Sequence, residues 1–567
     1  MTRPPAGTFD VIVVGAGPTG LTLALDLGRR GVKCLLVEKE ASTKPYPRAD
    51  RLNARTMECY RALGIADHVR SLGFPPDVPM NVYVVTRLCD QPLAVLECPS
   101  VGEYRALIAE SNDGSLPLEP YQLVAQNDLE ALLREKAEAM PNVSLRFGCE
   151  FVRLQQDEAG VTATLLSRYG GEALVRARYL IGADGAHSTV RKSLGIEMAG
   201  HGELEQVQTQ VIFQSDDLFE AIPIGKGRHY FFVDEYGSRL VVQGNRREFI
   251  FHTRLPPESD FSRLVREYAG IDFDLRIKHV FTWHRRVLIA ERFRQGRAFL
   301  AGDAAHLVSP TGGLGANGGI GDALNISWKL AGAVGGWAGP ALLDSYERER
   351  RPVAEQNCQA SAWAFEGMAR WRAHVKAFLS ASSPRDRERL RGAVAESARH
   401  DLGRYCGVIE DRLGGKFAGS FLGAELGYTY AGSPVIAGEF PGVAKWDHLR
   451  YTPTTMPGAR LPHMWLSDGR ALQDVIDGAG YTVLDLHGNY DMTELVAAFQ
   501  SLTAPVSVLR LDEPHLREVY GCSLLLLRPD LHIVWRGNAQ PPDPLTLAAL
   551  ATGNLDEGPK NSSDLAA

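Results

Sequence analysis

The sequence predicts an α/β protein made of a parallel-sheet nucleotide-binding domain, an antiparallel-sheet domain inserted into it, and a separate C-terminal α/β unit. Three observations carry that expectation. A strand, a glycine turn, a helix and a second strand open the chain between Phe9 and Glu38. β-Branched and aromatic runs broken by Gly, Asp and Ser fill the stretch from about Val207 to Arg254, the pattern of antiparallel strands. Strand-like and helical segments alternate once more from Tyr481 onward.

The opening unit reads as βαβ, with strands Val11–Val14 and Lys33–Val37 on either side of a helix from Leu21 to Arg30. Between strand and helix lies Gly15-Ala16-Gly17-Pro18-Thr19-Gly20, spaced as the Rossmann-like dinucleotide fingerprint requires. Gly15 permits the tight turn, Gly17 lets backbone N–H groups approach a pyrophosphate, and Gly20 lets the helix pack on the strand. The helix N-terminus then faces the diphosphate anion. Glu38 closes the second strand and is placed to accept from a ribose 2′-OH, repelling a 2′-phosphate, so the site prefers FAD or NAD. Lys39 follows it and is counted with the cofactor-binding set. The competing reading is a plain glycine turn with a solvent-facing Glu38.

Farther along, Asn53–Leu63 and Asn127–Met140 read as helices, and Tyr179–Ile181 ends a strand that leads into a loop and short helix. Val211–Phe213, His229–Val233 and Arg239–Gln243 are the inserted strands. Phe213, Phe232 and Phe251 alternate with polar residues there, so one face packs a core and the other is free to line a cavity. The α/β character returns at Ala298–Asp303, with helices at Gly321–Val334 and Ala341–Ala360 and an exposed helix or connector over Ser380–Arg399. Beyond these, Tyr481–Leu486, Val506–Leu511 and Ser523–Leu527 read as strands and Thr493–Leu502 as a helix. The expected division is a nucleotide domain over 1–200 and 286–400, the second part ending in a helical connector, a substrate-binding sheet domain over 201–285, a C-terminal unit over 401–555, and a flexible tail over 556–567.

Composition narrows the function. Hydrophobic residues at 45% and charged residues at 23% are ordinary for a globular protein. A net charge of -7 and a pI near 6.1 argue against nucleic acid as a partner, which needs a basic surface stripe. The eight cysteines show no C-x-x-C spacing, so neither a metal site nor a redox dithiol is expected. No apolar run is long enough for a membrane span. A cytoplasmic setting fits these features.

Two later segments bring a resemblance. Gly182-Ala183-Asp184-Gly185-Ala186-His187-Ser188-Thr189-Val190-Arg191 resembles the DG motif of single-component (class A) FAD-dependent aromatic hydroxylases. Gly302-Asp303-Ala304-Ala305-His306, followed by Pro310 to Gly319, resembles their GD motif. Further likeness to the phenol-type hydroxylases, including those acting on 2-hydroxybiphenyl and dichlorophenol, and to polyketide-tailoring relatives runs through Asn53–Glu58, Leu343–Tyr346, Pro457–His463 and Leu527–Asp530.

The resemblance implies tightly but non-covalently bound FAD and transient reduction by NADH or NADPH, since no second glycine fingerprint follows a strand. Dioxygen would then form a flavin C4a-hydroperoxide that hydroxylates a small aromatic substrate, phenolic or similarly electron-rich. A polyketide-tailoring or Baeyer–Villiger oxygenase would share the same motifs, and a protein that only binds FAD and sequesters an aromatic ligand is the non-catalytic alternative. By motif, Arg48 reaches the diphosphate, Gln126 touches FAD, Phe151 offers its backbone to the adenine, Asp184 belongs to the cofactor set, and Pro310 lies beside the flavin ring. Asp303 is placed for the ribityl hydroxyls. Gly313, Gly315 and the backbones of Ala316 and Asn317 are placed for the pyrimidine edge, where donors near a helix N-terminus stabilise the charge of reduced flavin. His306 reads as a structural hydrogen bond within the loop rather than a proton carrier.

Asp50 is the candidate acceptor for the phenol proton, where phenol hydroxylases can carry a histidine; an exposed loop carboxylate is the plainer alternative. The substrate pocket is expected between the FAD domain and the sheet of 207–285. The C-terminal unit resembles a thioredoxin-like domain without active-site cysteines, suited to structural support or to a homodimer contact.

Overall fold

The apolar runs that the βαβ pattern singles out meet as neighbours in a parallel sheet. A computed structural model describes residues 8–43, 46–47, 49–203, 207–413, 416–419, 421–438 and 446–555. Arg48 and the tail from 556 lie outside the described residues. The first sheet runs Arg294–Gln295, Ala298–Leu300, Glu172–Gly182, Phe9–Val14, Cys34–Glu38, Val143–Phe147. Its four central strands are parallel, with Leu180 beside Ala298, Val11 beside Tyr179 and Ile12 beside Leu35. Val11, Ile12, Val13, Leu35, Leu36, Leu180 and Ile181 are fully buried, as befits a sheet covered on both faces. The first helix covers Pro18–Arg29.

The second sheet has seven strands, in the order Arg276–Trp283, Gln208–Gln214, Glu248–Thr253, Arg239–Val242, His229–Phe232, Val82–Val85, Ala94–Leu96. Its last two strands come from the chain that precedes the Glu172–Gly182 strand, so the sheet is assembled from two separate stretches. Phe213, Phe232 and Phe251 point to one face and share a core with Phe261 and Val265 of the Phe261–Ala269 helix. The opposite face carries the row Phe231, Arg239, His252, Gln210, Phe281, each beside the next across the strands.

Two helices are longer than their patterns indicate. The one expected from Gly321 begins at Leu314, so the glycine run is itself helical. Glycine disfavours helix by about 1 kcal/mol per residue, which hides this start, but Gly319 is packed so closely on Gly302 and Thr19 that a side chain would not fit. The other runs from Pro340 to Leu379, passing through Pro352. The Ser380–Arg399 segment forms a helix at Pro384–Ser397, capped by Ser383.

The C-terminal unit is a four-stranded sheet in the order Val506–Arg510, Tyr481–Asp485, Leu524–Leu527, Ile533–Gly537, with only the first pair parallel. It is tied to the two long helices by charge. Glu349, 1% exposed, accepts from Arg528, Lys329, Asn325 and Ser433 at 2.6–3.0 Å. Arg528 also grips Asp530 at 2.6 Å, and Arg460 pairs with Glu58 of the Ala54–Ala62 helix. A cavity of about 40 Å³ within this network, bordered by Asn325, Arg350, Tyr430 and His532, has room for ordered water rather than a substrate.

Burial opposes the Glu349 charge, yet Arg528 and Lys329 hold its carboxyl at about 2. A carboxylate with a depressed folded pKa stabilises the fold above its unfolded value and loses that contribution as pH falls toward the folded one. Replacing Glu349 by Gln is therefore expected to cost about 3–5 kcal/mol at neutral pH, by leaving buried cations without their anion. The gap between parent and variant urea midpoints should hold from pH 7 to about 5 and narrow below about 4.5, near the unfolded glutamate pKa. A gap independent of pH would contradict this assignment.

Candidate active site

The motif loops converge because the strands that carry them are neighbours and parallel. Each loop leaves the carboxyl end of its strand: Gly15 after Val14, Lys39 after Glu38, Ala183 after Gly182, and Ala301 after Leu300. Gly15 N–H donates to Val37, Ala183 N–H to Val14 and Ala301 N–H to Gly182, all at 2.8–2.9 Å. Ligands of open α/β sheets bind at this end.

The glycines separate into those that allow close packing and one that leaves room. Gly15 sits at φ 106°, and a Cβ there would come within 2.3 Å of the Ala183 carbonyl oxygen. A Cβ on Gly20 would meet the Gly15 carbonyl oxygen at 2.0 Å. Gly17 differs, since a Cβ there would meet nothing within 4 Å. Its Cα borders open space beside the N-terminus of the Pro18–Arg29 helix, a cradle suited to a diphosphate. Thr19 faces the other way, and its hydroxyl would lie within 2.7 Å of a Cβ on either Gly302 or Gly319. It thereby joins the first loop to the GD turn and to the Leu314–Gly335 helix. Glu38 accepts from the Ala16 N–H at 2.8 Å and the Glu40 N–H at 3.0 Å, so its carboxylate is held against the glycine loop. Lys39 is exposed.

The GD segment turns on one buried carboxylate. Asp322 accepts from the Gly302 N–H at 3.0 Å, bonds His306 Nε2 at 2.7 Å and accepts from Arg350 Nε at 2.7 Å. His306 is 1% exposed, and its hydrogen bond runs to the Leu314–Gly335 helix rather than within the loop as the sequence suggested. Asp303 is exposed on a turn at Gly302–Ala304 whose other two residues are buried, and Pro310 is exposed ahead of a second turn at Thr311–Gly313. Gly312 at φ 85° and Gly313 at φ 67° occupy left-handed backbone and aim the following helix. Gly315 and Ala316 stand half-buried in its first turn, where backbone N–H groups lack carbonyl partners from the preceding turn. Asn317 is one residue deeper. Its side-chain amide donates to Arg51 and Gly313 and accepts from the Asn53 N–H, so it braces neighbouring backbone.

Other expected site residues are engaged in local structure. Asp184 accepts from the Ser188 hydroxyl and from the Thr189 and Val190 N–H groups, capping the short Thr189–Ser193 helix. Gln126 opens the Gln126–Glu138 helix and donates to Glu130 at 2.6 Å. Phe151 is buried on the Cys149–Gln156 strand, where the ladder is irregular between Phe151 and Arg153.

Asp50 is not the exposed carboxylate of the plainer reading, nor is it disposed as a free base. Arg228 NH2 donates to both of its oxygens, at 2.6 and 2.8 Å. Tyr46, from the same loop, stacks on His279 with ring centroids 4.6 Å apart. Tyr46 and Asp50 therefore lie against the second sheet and the residue that precedes its His229–Phe232 strand. Tyr46, Arg228, Arg239 and His252 were not among the expected site residues, and their sequence signal is slight: Glu248 and His252 alternate with Phe249 and Phe251 on one strand, and Arg239 opens another.

Residues 8–361 match the family described as FAD binding domain, and residues 454–556 match the one described as aromatic-ring hydroxylase, C-terminal. The chain belongs to the FAD-dependent aromatic-ring hydroxylases. A putative polyketide hydroxylase of Streptomyces halstedii is 35% identical to this hydroxylase over 81% of the chain and 77% of its own length. The 2,4-dichlorophenol 6-monooxygenase of Cupriavidus pinatubonensis is 30% identical over 94% of each chain. The solved structure of the rebeccamycin biosynthetic enzyme RebC with reduced flavin has a TM-score of 0.82 at 30% identity, covering 97% of this chain and 99% of that one. The hydroxylase is an FAD-dependent monooxygenase, and the open cradle at Gly17 fits the diphosphate of that cofactor.

Gly17→Ala tests the cradle. The methyl group meets no protein atom, so the FAD-free variant should unfold within about 0.5 kcal/mol of the parent, as exposed substitutions do. FAD affinity should fall by about tenfold or more, the effect of losing 1.4 kcal/mol of binding free energy. Unchanged FAD affinity by fluorescence titration would remove the diphosphate from this position.

Proposed function

We propose that this hydroxylase inserts oxygen into a phenolic or similarly electron-rich ring held between the strand-end loops of the first sheet and the polar face of the second. One observation carries the reading. Tyr46 and Asp50, which follow the Glu38 strand, reach His279 and Arg228 on the second sheet, so the nucleotide-site loops also roof a polar surface. Bound FAD, reduced by NADH or NADPH, supplies activated oxygen.

The chain's own residues hold and shelter that chemistry. Gly15, Gly17, Pro18, Thr19 and Gly20 present the first helix N-terminus to the diphosphate, with Lys39 following the second strand and Arg48 assigned to the diphosphate by its motif. Glu38 takes the ribose and Asp303 the ribityl hydroxyls, while Gln126 and Phe151 border the adenosine half. Gly313 aims the N–H groups of Gly315 and Ala316 at the pyrimidine edge, and Pro310 packs beside the ring. Asp184 and Asn317 act by fixing the loops, because their side chains are already committed. We read Asp50 as orienting Arg228, whose guanidinium donates to both of its oxygens, rather than as the acceptor of the substrate proton.

A larger polycyclic phenol of polyketide type is the second reading, favoured by the 35% identity to the Streptomyces halstedii relative. We read the C-terminal unit as a thioredoxin-like fold serving as structural support. It has no cysteine pair, and Arg528 and Arg460 anchor it to the helices that carry the site.

The purified protein should be yellow, carry one FAD released by denaturation, and oxidise NADH or NADPH faster when a substrate phenol is added, with one atom of dioxygen appearing in the product. A screen of monocyclic and polycyclic phenols under labelled dioxygen measures this. Oxidation that no phenol accelerates, with no labelled product, would refute the reading. Asp303→Ala should weaken FAD binding by about tenfold or more, as loss of a charge-assisted hydrogen bond does, while leaving the FAD-free melting temperature near that of the parent. Equal FAD retention would take Asp303 away from the ribityl chain.

A further inference from the structure

Three arginines stand beside the polar face of the second sheet, and one of them lacks an anionic partner among the described residues. Arg51, Arg228 and Arg239 surround His229 and Cys406 closely enough to act on both. Glu425 answers Arg51 at 3.1 Å, and Asp50 answers Arg228 at 2.6 Å. Arg239 has no such answer. Its residue is 9% exposed, its guanidinium carbon lies 5.7 Å from the Tyr405 ring centroid, and among the described residues no carboxylate, carbonyl or hydroxyl accepts a hydrogen bond from it.

A guanidinium does not lose its proton in a protein, so this charge is permanent. The neighbouring imidazoles do not add to it. Burial, reinforced by the surrounding arginines, pushes His229 and His252 well below the usual histidine range. Tyr405 sits on the Gly403–Cys406 helix, beside the Thr311–Gly313 turn that introduces the Leu314–Gly335 helix. Arg51 donates toward the Gly312 carbonyl of that turn at 3.5 Å. The uncompensated cation therefore lies where the sheet face approaches the GD segment.

We propose that Arg239 anchors an anionic oxygen of the aromatic substrate, either a phenolate or a carboxylate on the ring. The inference rests on the hydroxylase reading and deepens it by naming the substrate's charge. A planar guanidinium accommodates such an oxygen, or a pair of them, in a directed charge-assisted contact. A fixed cation within a few ångströms also favours the ionised form of a phenol whose ordinary pKa is about 10. Ionisation then needs no carboxylate base, which accords with the commitment of Asp50 to Arg228.

The test uses FAD-loaded parent, Arg239→Met and Arg239→Lys, titrated with matched acidic and neutral probes: 4-nitrophenol against 4-nitroanisole, benzoate against benzamide, and 2-naphthol and 2-naphthoate against 2-methoxynaphthalene and 2-naphthamide. The parent should prefer the acidic member of at least one pair by about tenfold or more. Arg239→Met should abolish that preference and Arg239→Lys restore part of it. A lowered apparent pKa of bound 4-nitrophenol identifies the phenolate, whereas preference for the carboxylates alone identifies the acid. Without ligand, Arg239→Met should melt no lower than the parent, because it removes a buried charge that no internal anion compensates.

An acid-to-neutral ratio unchanged in Arg239→Met, failure of every acidic probe to bind the parent, or a lower ligand-free melting temperature in the variant would each overturn the proposal. These titrations need neither NAD(P)H nor dioxygen. Failure of the hydroxylase reading would appear in turnover, and failure of the anion anchor in binding.

Discussion

A carboxylate sealed from water must be neutralised by its own protein, and Asp322 imposes that demand on three parts of the chain at once. It is fully buried, and although burial opposes its charge, His306 and Arg350 hold its carboxyl below the usual range. The groups that satisfy it are the Gly302 N–H of the GD turn, His306 at the end of that turn, and Arg350 of the Pro340–Leu379 helix. Arg350 goes on to donate to the Gly318 carbonyl and to Tyr430, whose ring stacks on His532 at 4.3 Å. Removing any one partner leaves a charge stranded in low dielectric, so the turn, the two helices and the C-terminal unit have one mutually satisfactory arrangement. Asp303 and Ala316 stand on the turn and at the helix start whose positions that arrangement fixes.

Economy is evident in the second sheet. Its strands serve a core and a polar face with alternate residues, since successive side chains of a strand point to opposite sides. Phe249 and Phe251 belong to the core, while His252 stands in the row with Arg239 and Gln210. A register slip of one residue would exchange these sets, burying charge and exposing rings. The aromatic core thus specifies the orientation of the polar face as well as the stability of the sheet.

How much of this was legible varies with the range of the interaction that decides it. The βαβ unit, the return of the α/β domain at Ala298 and three of the inserted strands follow from local periodicity and glycine placement, and the structure contains them, whereas the strands Glu248–Thr253 and Arg276–Trp283 were not read. The helix from Leu314 was hidden because its glycines are chosen for contact with Gly302 and Thr19, a long-range reason that no local propensity records. The extension of the next helix from Ala360 to Leu379 is similar in kind, since Trp371 is held by Phe231 of a distant strand, 5.7 Å between ring centroids. At the site, the cofactor motifs were readable because phosphate binding needs glycines at set spacings. Arg228 and Arg239 were not, because a cation matters only through what faces it, and their neighbours Asp50 and Tyr405 are far away in sequence.

The interleaving of the two sheets also dictates an order of events in time. The Glu172–Gly182 strand finds one parallel neighbour in Phe9–Val14, already made, but its other parallel neighbour is Ala298–Leu300, beyond the whole set of inserted strands. At about 5–20 residues per second of synthesis, that edge waits roughly 6–24 s for its partner. The inserted strands emerge meanwhile and can pair with Val82–Val85, which has been waiting longer still. Neither sheet closes from one contiguous piece of chain, so neither can be cut out as a self-sufficient fragment, and both depend on pairings distant in sequence, the kind that slows folding. An exposed apolar edge on a nascent chain is a hazard for aggregation, and the length of that wait makes shielding of the nascent protein part of what the cell must supply to obtain the enzyme.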